Sequence, residues 1–143
     1  MSKLTELIEK KKERKQSMPT KGSYYSKTED FELEFKRCDE ELFFYLIDKF
    51  PLGFSEQPKM SELLKAMINL IYECVIIDGN KSLKDKEVQE ALGVNRKDPE
   101  NLIGNSARAL IEDFTERLEL GNKILEFSGF GKKGNNQVKE IKN

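Results

Sequence analysis

A chain of 143 residues accommodates one domain, or one domain with tails. Hydrophobic residues make up 37% and charged residues 36%, so a modest core has to carry a heavily charged surface. With no histidine there is no imidazole base, no Ser-His-Asp triad and no His-ligated metal, and the chain reads as non-enzymatic, without a cofactor.

The net charge of −1 hides an uneven distribution. Residues 1–22 hold seven Lys/Arg against three Glu, and residues 132–143 hold four Lys against Glu140. Residues 23–131 hold 14 cations against 22 carboxylates. Basic ends flank an acidic body, and such arms either stay solvated or add phosphate contacts to a nucleic-acid binder. The longest apolar run, Ala66 to Ile77 with Glu73 inside it, falls far short of the roughly 20 residues that span a bilayer. The N-terminus has no apolar stretch of signal-peptide length, and the expected setting is the cytoplasm, with no membrane contact. Cys38 and Cys74 do not form a Cys-x-x-Cys clip. They read as buried thiols on neighbouring helices.

Along the chain, residues 1–25 read as a basic arm and linker, because Pro19 and Gly22 interrupt any helix. A helical domain is expected over 26–128, followed by a flexible Gly/Lys/Asn-rich tail over 129–143. The first long helix is predicted from Thr28 to Lys49. Thr28 suits an N-cap, and Phe31, Phe35, Cys38, Leu42, Tyr45 and Leu46 recur at spacings of three and four. Phe43, Phe44 and Ile47 widen that stripe into a candidate partner-binding face. Pro51 stops the helix.

The second helix is predicted from Pro58 to Ile77, with a stripe running from Met60 to Val75 and a turn at Asp78-Gly79-Asn80. A short third helix, Ser82 to Leu92, opens on a capping-box-like Ser82/Asp85 pair and closes on Gly93. The fourth, capped by Asp98 with Pro99 first, runs to Leu120. Ile124, Leu125 and Phe127 read as a short strand. The fold class is therefore an all-α, four- to five-helix domain with basic flexible tails.

Three motifs offer chemistry only weakly. Gly129-x-Gly131-x-x-Gly134 matches the dinucleotide glycine pattern, but only nine residues follow and no βαβ unit can be built. Glu112, Asp113, Glu116 and Glu119 cluster, yet read as solvated surface rather than a cation site. Tyr24-Tyr25 could stack on a partner or pin the chain entry to the core.

The segments 82–92 and 98–120 have helix-turn-helix proportions. Lys123 to Phe127, a tip at Gly129 to Gln137 and a return strand at Val138 to Ile141 would complete a winged-helix-like C-terminal half. In that arrangement Asn95, Arg96, Lys97, Asn101, Asn105 and Arg108 read bases. Lys81, Lys84 and Lys86 then meet phosphates of double-stranded DNA. The acidic second half of 98–120, with Glu112, Asp113, Glu116 and Glu119, counts against it.

Residues 58–128 weakly resemble the C-terminal part of the RteC family, regulators of excision genes in conjugative elements. The likeness rests on Ser61-Glu62-Leu63-Leu64, Leu70-Ile71-Tyr72, Ile77-Asp78-Gly79-Asn80, Ser82-Leu83-Lys84, Leu92-Gly93-Val94 and a later helix with Arg108, Phe114 and Leu118. It is a pattern of apolar positions, and the Trp common ahead of the first of these helices in that family is missing. It implies a DNA-binding regulator of a mobile element. The alternative is a helical protein-protein interaction module or homodimer that docks through the Phe-rich first helix.

Overall fold

In a computed structural model, residues 2–17, 19–50 and 59–130 are described. The described chain is mixed α and β, which corrects the all-α expectation: six helices accompany a four-stranded antiparallel sheet in the order β1-β2-β3-β4.

The chain begins with α1 (Lys3–Ser17), whose described side chains are all exposed. Then comes a β-hairpin, β1 (Lys21–Ser26) and β2 (Phe31–Lys36), where a helix from Thr28 was expected. Phe31-Glu32-Leu33-Glu34-Phe35 alternates strictly, and alternation is the strand period. Leu33 and Phe35 point into the core while Glu32 and Glu34 face solvent. The register pairs Tyr24 with Leu33 and Gly22 with Phe35. Only a glycine fits at position 22, because a Cβ there would stand 2.5 Å from the Phe35 ring.

Helix α2 (Glu40–Lys49) starts at Asp39, whose carboxylate accepts from the Leu42 amide at 2.8 Å. Helix α3 (Met60–Cys74) buries Ala66, Met67, Ile68, Leu70, Ile71 and Cys74. The predicted second helix ran three residues too far. Val75–Ile77 forms β3 instead, pairing Val75 with Phe35, and β4 (Lys81–Ser82) returns along it. Helix α4 (Lys86–Ala91) ends as expected at Gly93. There φ is 76°, and the Val94 amide donates to the Gln89 carbonyl at 2.9 Å.

The predicted helix 98–120 is two helices, α5 (Leu102–Leu110) and α6 (Phe114–Phe127). They break because Asp113 caps α6, accepting from the Glu116 amide at 3.1 Å. The Arg117 guanidinium, nearly buried, donates to the carbonyls of Ile111 and Glu112 at 2.7 and 2.8 Å, closing the end of α5. Helix α6 absorbs Ile124, Leu125 and Phe127, so the expected strand of a wing is absent. Most of the wing tip and all of the return strand lie outside the described residues. Helix α6 ends at Gly129 (φ 90°), with the Phe130 amide donating to Leu125.

Helices α5 and α6 pack on α3, and α6 also crosses the sheet. Phe35, fully buried, meets Phe127 edge to face with centroids 5.4 Å apart. Cys38 and Cys74 are buried and free, but Cys38 follows β2 and Cys74 ends α3, so they do not sit on two helices. The Cys74 thiol shares a hydrogen bond with Cys38. That bond lowers the Cys38 pKa and, with burial, raises that of Cys74.

Candidate interaction site

The residues expected to contact DNA occupy β4, the start of α4, the 95–97 turn and α5. They do not form an open cationic patch. Lys81 pairs with Glu87 at 2.5 Å, Lys84 with Glu73, and Lys86 with Glu90 at 3.8 Å. The Arg96 Nε donates to Gln89 Oε1 at 2.9 Å, and buried Gln89 in turn donates to the Leu83 carbonyl at 2.7 Å. Arg96 therefore straps its own turn to α4. Asn95 accepts from the Lys97 amide at 3.0 Å, and Asn101 donates to Asp98 at 2.9 Å, both of them local turn contacts. Asn105 accepts from exposed Arg108 at 3.5 Å. Arg96, held by the neutral Gln89, Lys97 and Arg108 are the charged members of the set that meet no carboxylate in an ion pair among the described residues. The helix that was to carry the reading end is only nine residues long, and Ser106 and Ala107 are buried.

Of the carboxylates at 112–119, those of Asp113, Glu116 and Glu119 hold elements of the fold together, while Glu112 is exposed. Among the described residues no group of acidic, Cys or His side chains is placed to bind a metal ion. Glu119 accepts from the Tyr24 hydroxyl at 2.8 Å, so Tyr24 pins β1 to α6. Burial and this carboxylate push the Tyr24 pKa up. Glu116 is nearly buried and accepts from the Ser26 hydroxyl, from the Thr28 amide at 2.9 Å and from the Thr28 hydroxyl at 3.0 Å. It latches the hairpin turn to α6.

Of the predicted partner-binding residues, the structure separates Phe43 from Phe44. Phe43 is half-buried and stacks on Phe130, with centroids 4.2 Å apart and planes within 3°. That stack, together with Leu42, buried Leu46 and buried Phe50, anchors the inner side of α2. Ile47 is half-buried. Phe44 keeps 58% of its surface in water, and beside it Tyr45 keeps 49%. Tyr45 was placed by its spacing on the buried stripe. That stripe assumed one helix through residues 31–46, and once the helix begins at Glu40 its phase shifts and Tyr45 turns outward. Glu40, Glu41 and Asp48 are exposed on the same side, because positions 40, 44 and 48 and positions 41 and 45 form adjacent rows. Lys49 lies over the Tyr45 ring at 5.4 Å. The face thus carries two exposed aromatic rings, with Glu40, Glu41 and Asp48 around them and Lys49 over one, on a helix whose inner side packs on the core.

No helix among the described residues is long and apolar enough to cross a membrane. No protein-family model matches the chain, and neither the curated proteins nor the solved structures contain a significant match.

Proposed function

We propose that this chain is a non-enzymatic protein-protein interaction module whose docking surface is the outer face of α2. The observation that carries the reading is the exposure of the consecutive residues Phe44 and Tyr45 on a helix whose inner face packs into the core. Rigid aromatic side chains lose little entropy on binding and bury much area, which is why they dominate interface energetics. The acidic frame adds selectivity for a basic partner. The double-stranded DNA reading draws on lysines that spend their charge on Glu73, Glu87 and Glu90, and the RteC likeness rests on apolar positions that α3 uses for packing.

The test compares two variants of the full chain. Phe44→Asp combined with Tyr45→Ser is expected to weaken retention of proteins on the immobilised chain at least about tenfold, with an unchanged circular dichroism spectrum. Lys97→Glu combined with Arg108→Glu is expected to leave that retention unchanged. Retention of a random-sequence duplex that falls steeply with salt, is lost in the Lys97/Arg108 variant and is untouched by the α2 variant would overturn the proposal in favour of DNA.

A further inference from the structure

The α2 face has a matching surface elsewhere in the chain. Helix α1 carries Leu4, Leu7 and Ile8 on one side, and all three are exposed. Lys11 and Lys12 continue the same rows one turn later and Lys15 a turn beyond, since residues four apart share a row. None of these side chains joins the core. An isolated 15-residue helix is marginal in water, and leaving its apolar stripe solvated adds to the cost of holding it folded.

We infer that the occupant of the α2 face is α1 of a second copy of this chain, each copy giving one helix and receiving one. This rests on the reading of α2 as a docking surface. The two faces are complementary in chemistry and in spacing. From the Leu7/Ile8 pair to Lys11/Lys12 is four residues, about 6 Å of helix, and from Phe44/Tyr45 back to Glu40/Glu41 is the same four residues. Laid antiparallel, the aliphatic residues of α1 cover the two rings while its lysines meet the two glutamates. The +3 charge of residues 3–17 (six Lys/Arg, three Glu) faces the excess of carboxylates in the body. The antiparallel setting also brings the basic C-terminal end of α1 to the acidic N-terminal turn of α2, which suits both helix dipoles. Reciprocal exchange produces a closed two-fold dimer in which both exposed apolar faces are covered at once.

The experiment uses two charge-reversed full-length chains and sedimentation velocity. One carries Lys11→Glu, Lys12→Glu and Lys15→Glu, and the other carries Glu40→Lys and Glu41→Lys. The wild-type chain is expected to dimerise, more weakly as salt rises. Each reversed chain alone is expected to self-associate at least about tenfold more weakly, because like charges now face each other. Mixing the two is expected to restore a dimer, since α1 of each then meets an oppositely charged α2. That rescue occurs only in trans, so docking of α1 on its own α2 cannot produce it. Both variants alter exposed positions, and circular dichroism checks that they are folded. A wild-type chain that stays monomeric at every concentration, or a mixture that shows no heterodimer, overturns the inference. If the monomer still retains a different protein that Phe44→Asp releases, the docking role of α2 stands and only the second copy falls. If nothing depends on Phe44, both fall.

Discussion

Glu116→Ala is expected to destabilise the fold by about 2–4 kcal/mol, because hydrogen bonds to a charged acceptor are worth roughly 1.5–3 kcal/mol and the buried Ser26 donor is left unpaired. The Ser26 hydroxyl is fully buried and does not regain water when the acceptor is removed, while the Thr28 amide, on an exposed turn, loses the bond that ties that turn to α6. The latch is also pH-dependent, with a sign that can be worked out. Burial pushes the Glu116 pKa up. The Ser26 hydroxyl, the Thr28 amide and hydroxyl and the Lys27 amide outweigh it and hold the carboxyl below the usual glutamate range. A folded-state value below the unfolded one means that the stabilisation is complete above the ordinary glutamate value of about 4.3, and is lost as pH falls through the folded value. Urea denaturation of wild type and Glu116→Gln across acid pH is therefore expected to show a stability gap at neutral pH that narrows in strong acid. A gap independent of pH would mean that the charged form of Glu116 does not hold the hairpin.

Gly121→Val is expected to be more damaging still, enough to leave the chain largely unfolded. Helices α3 and α6 cross so closely at Gly121 that a Cβ there would stand 2.9 Å from Met67 Cβ, with the Met67 sulfur nearer yet. Met67 is buried, and its Cβ is fixed to the α3 backbone, so rotamer change relieves the Cγ and sulfur contacts but not the Cβ contact. The milder Gly121→Ala is expected to cost about 1–3 kcal/mol from overpacking, a loss that exceeds the gain of roughly 1 kcal/mol in helix propensity. Met67→Ala in that background is expected to recover part of the loss. A double-mutant cycle by urea denaturation measures the coupling, and a zero coupling energy would place the strain elsewhere.

These two contacts also mark where the sequence was and was not readable. The stripe of α3 and the glycine cap at Gly93 follow from local rules, and both appear where those rules put them. The hairpin was masked because Phe31 and Phe35 are four apart and satisfy a helical row as well as a strand face. The alternation through Glu32, Leu33 and Glu34 was the signal that separated the two. The break between α5 and α6 was likewise written in Asp113 and Glu116, a capping pair three residues apart inside an otherwise continuous apolar pattern. Gly129 read as part of a glycine-rich tail, whereas it ends α6 and lays Phe130 on Phe43.

The candidate site was readable only in part. Phe44 was legible as an apolar residue outside the main stripe, but Tyr45 needed the true start of α2. The pairing of Lys81, Lys84 and Lys86 could not be read from the chain, because Glu73 reaches Lys84 only after β3 and β4 fold back beside α3. A run of cations in sequence became a set of local ion pairs. The aromatic face owes its exposure to the opposite circumstance: the inner side of α2 is satisfied by Phe130 and the core, and nothing in the core calls on its outer side.

Amide hydrogen exchange of the full-length chain, followed from dilute to concentrated solution and again with duplex DNA, locates the contact surface most directly. The expected result is slowed exchange in residues 40–49 and 3–17 on concentration, with 81–108 unchanged when DNA is added. Protection of 81–108 by DNA, with α2 exchanging at the same rate at every concentration, would contradict the assignment of α2 as the docking face.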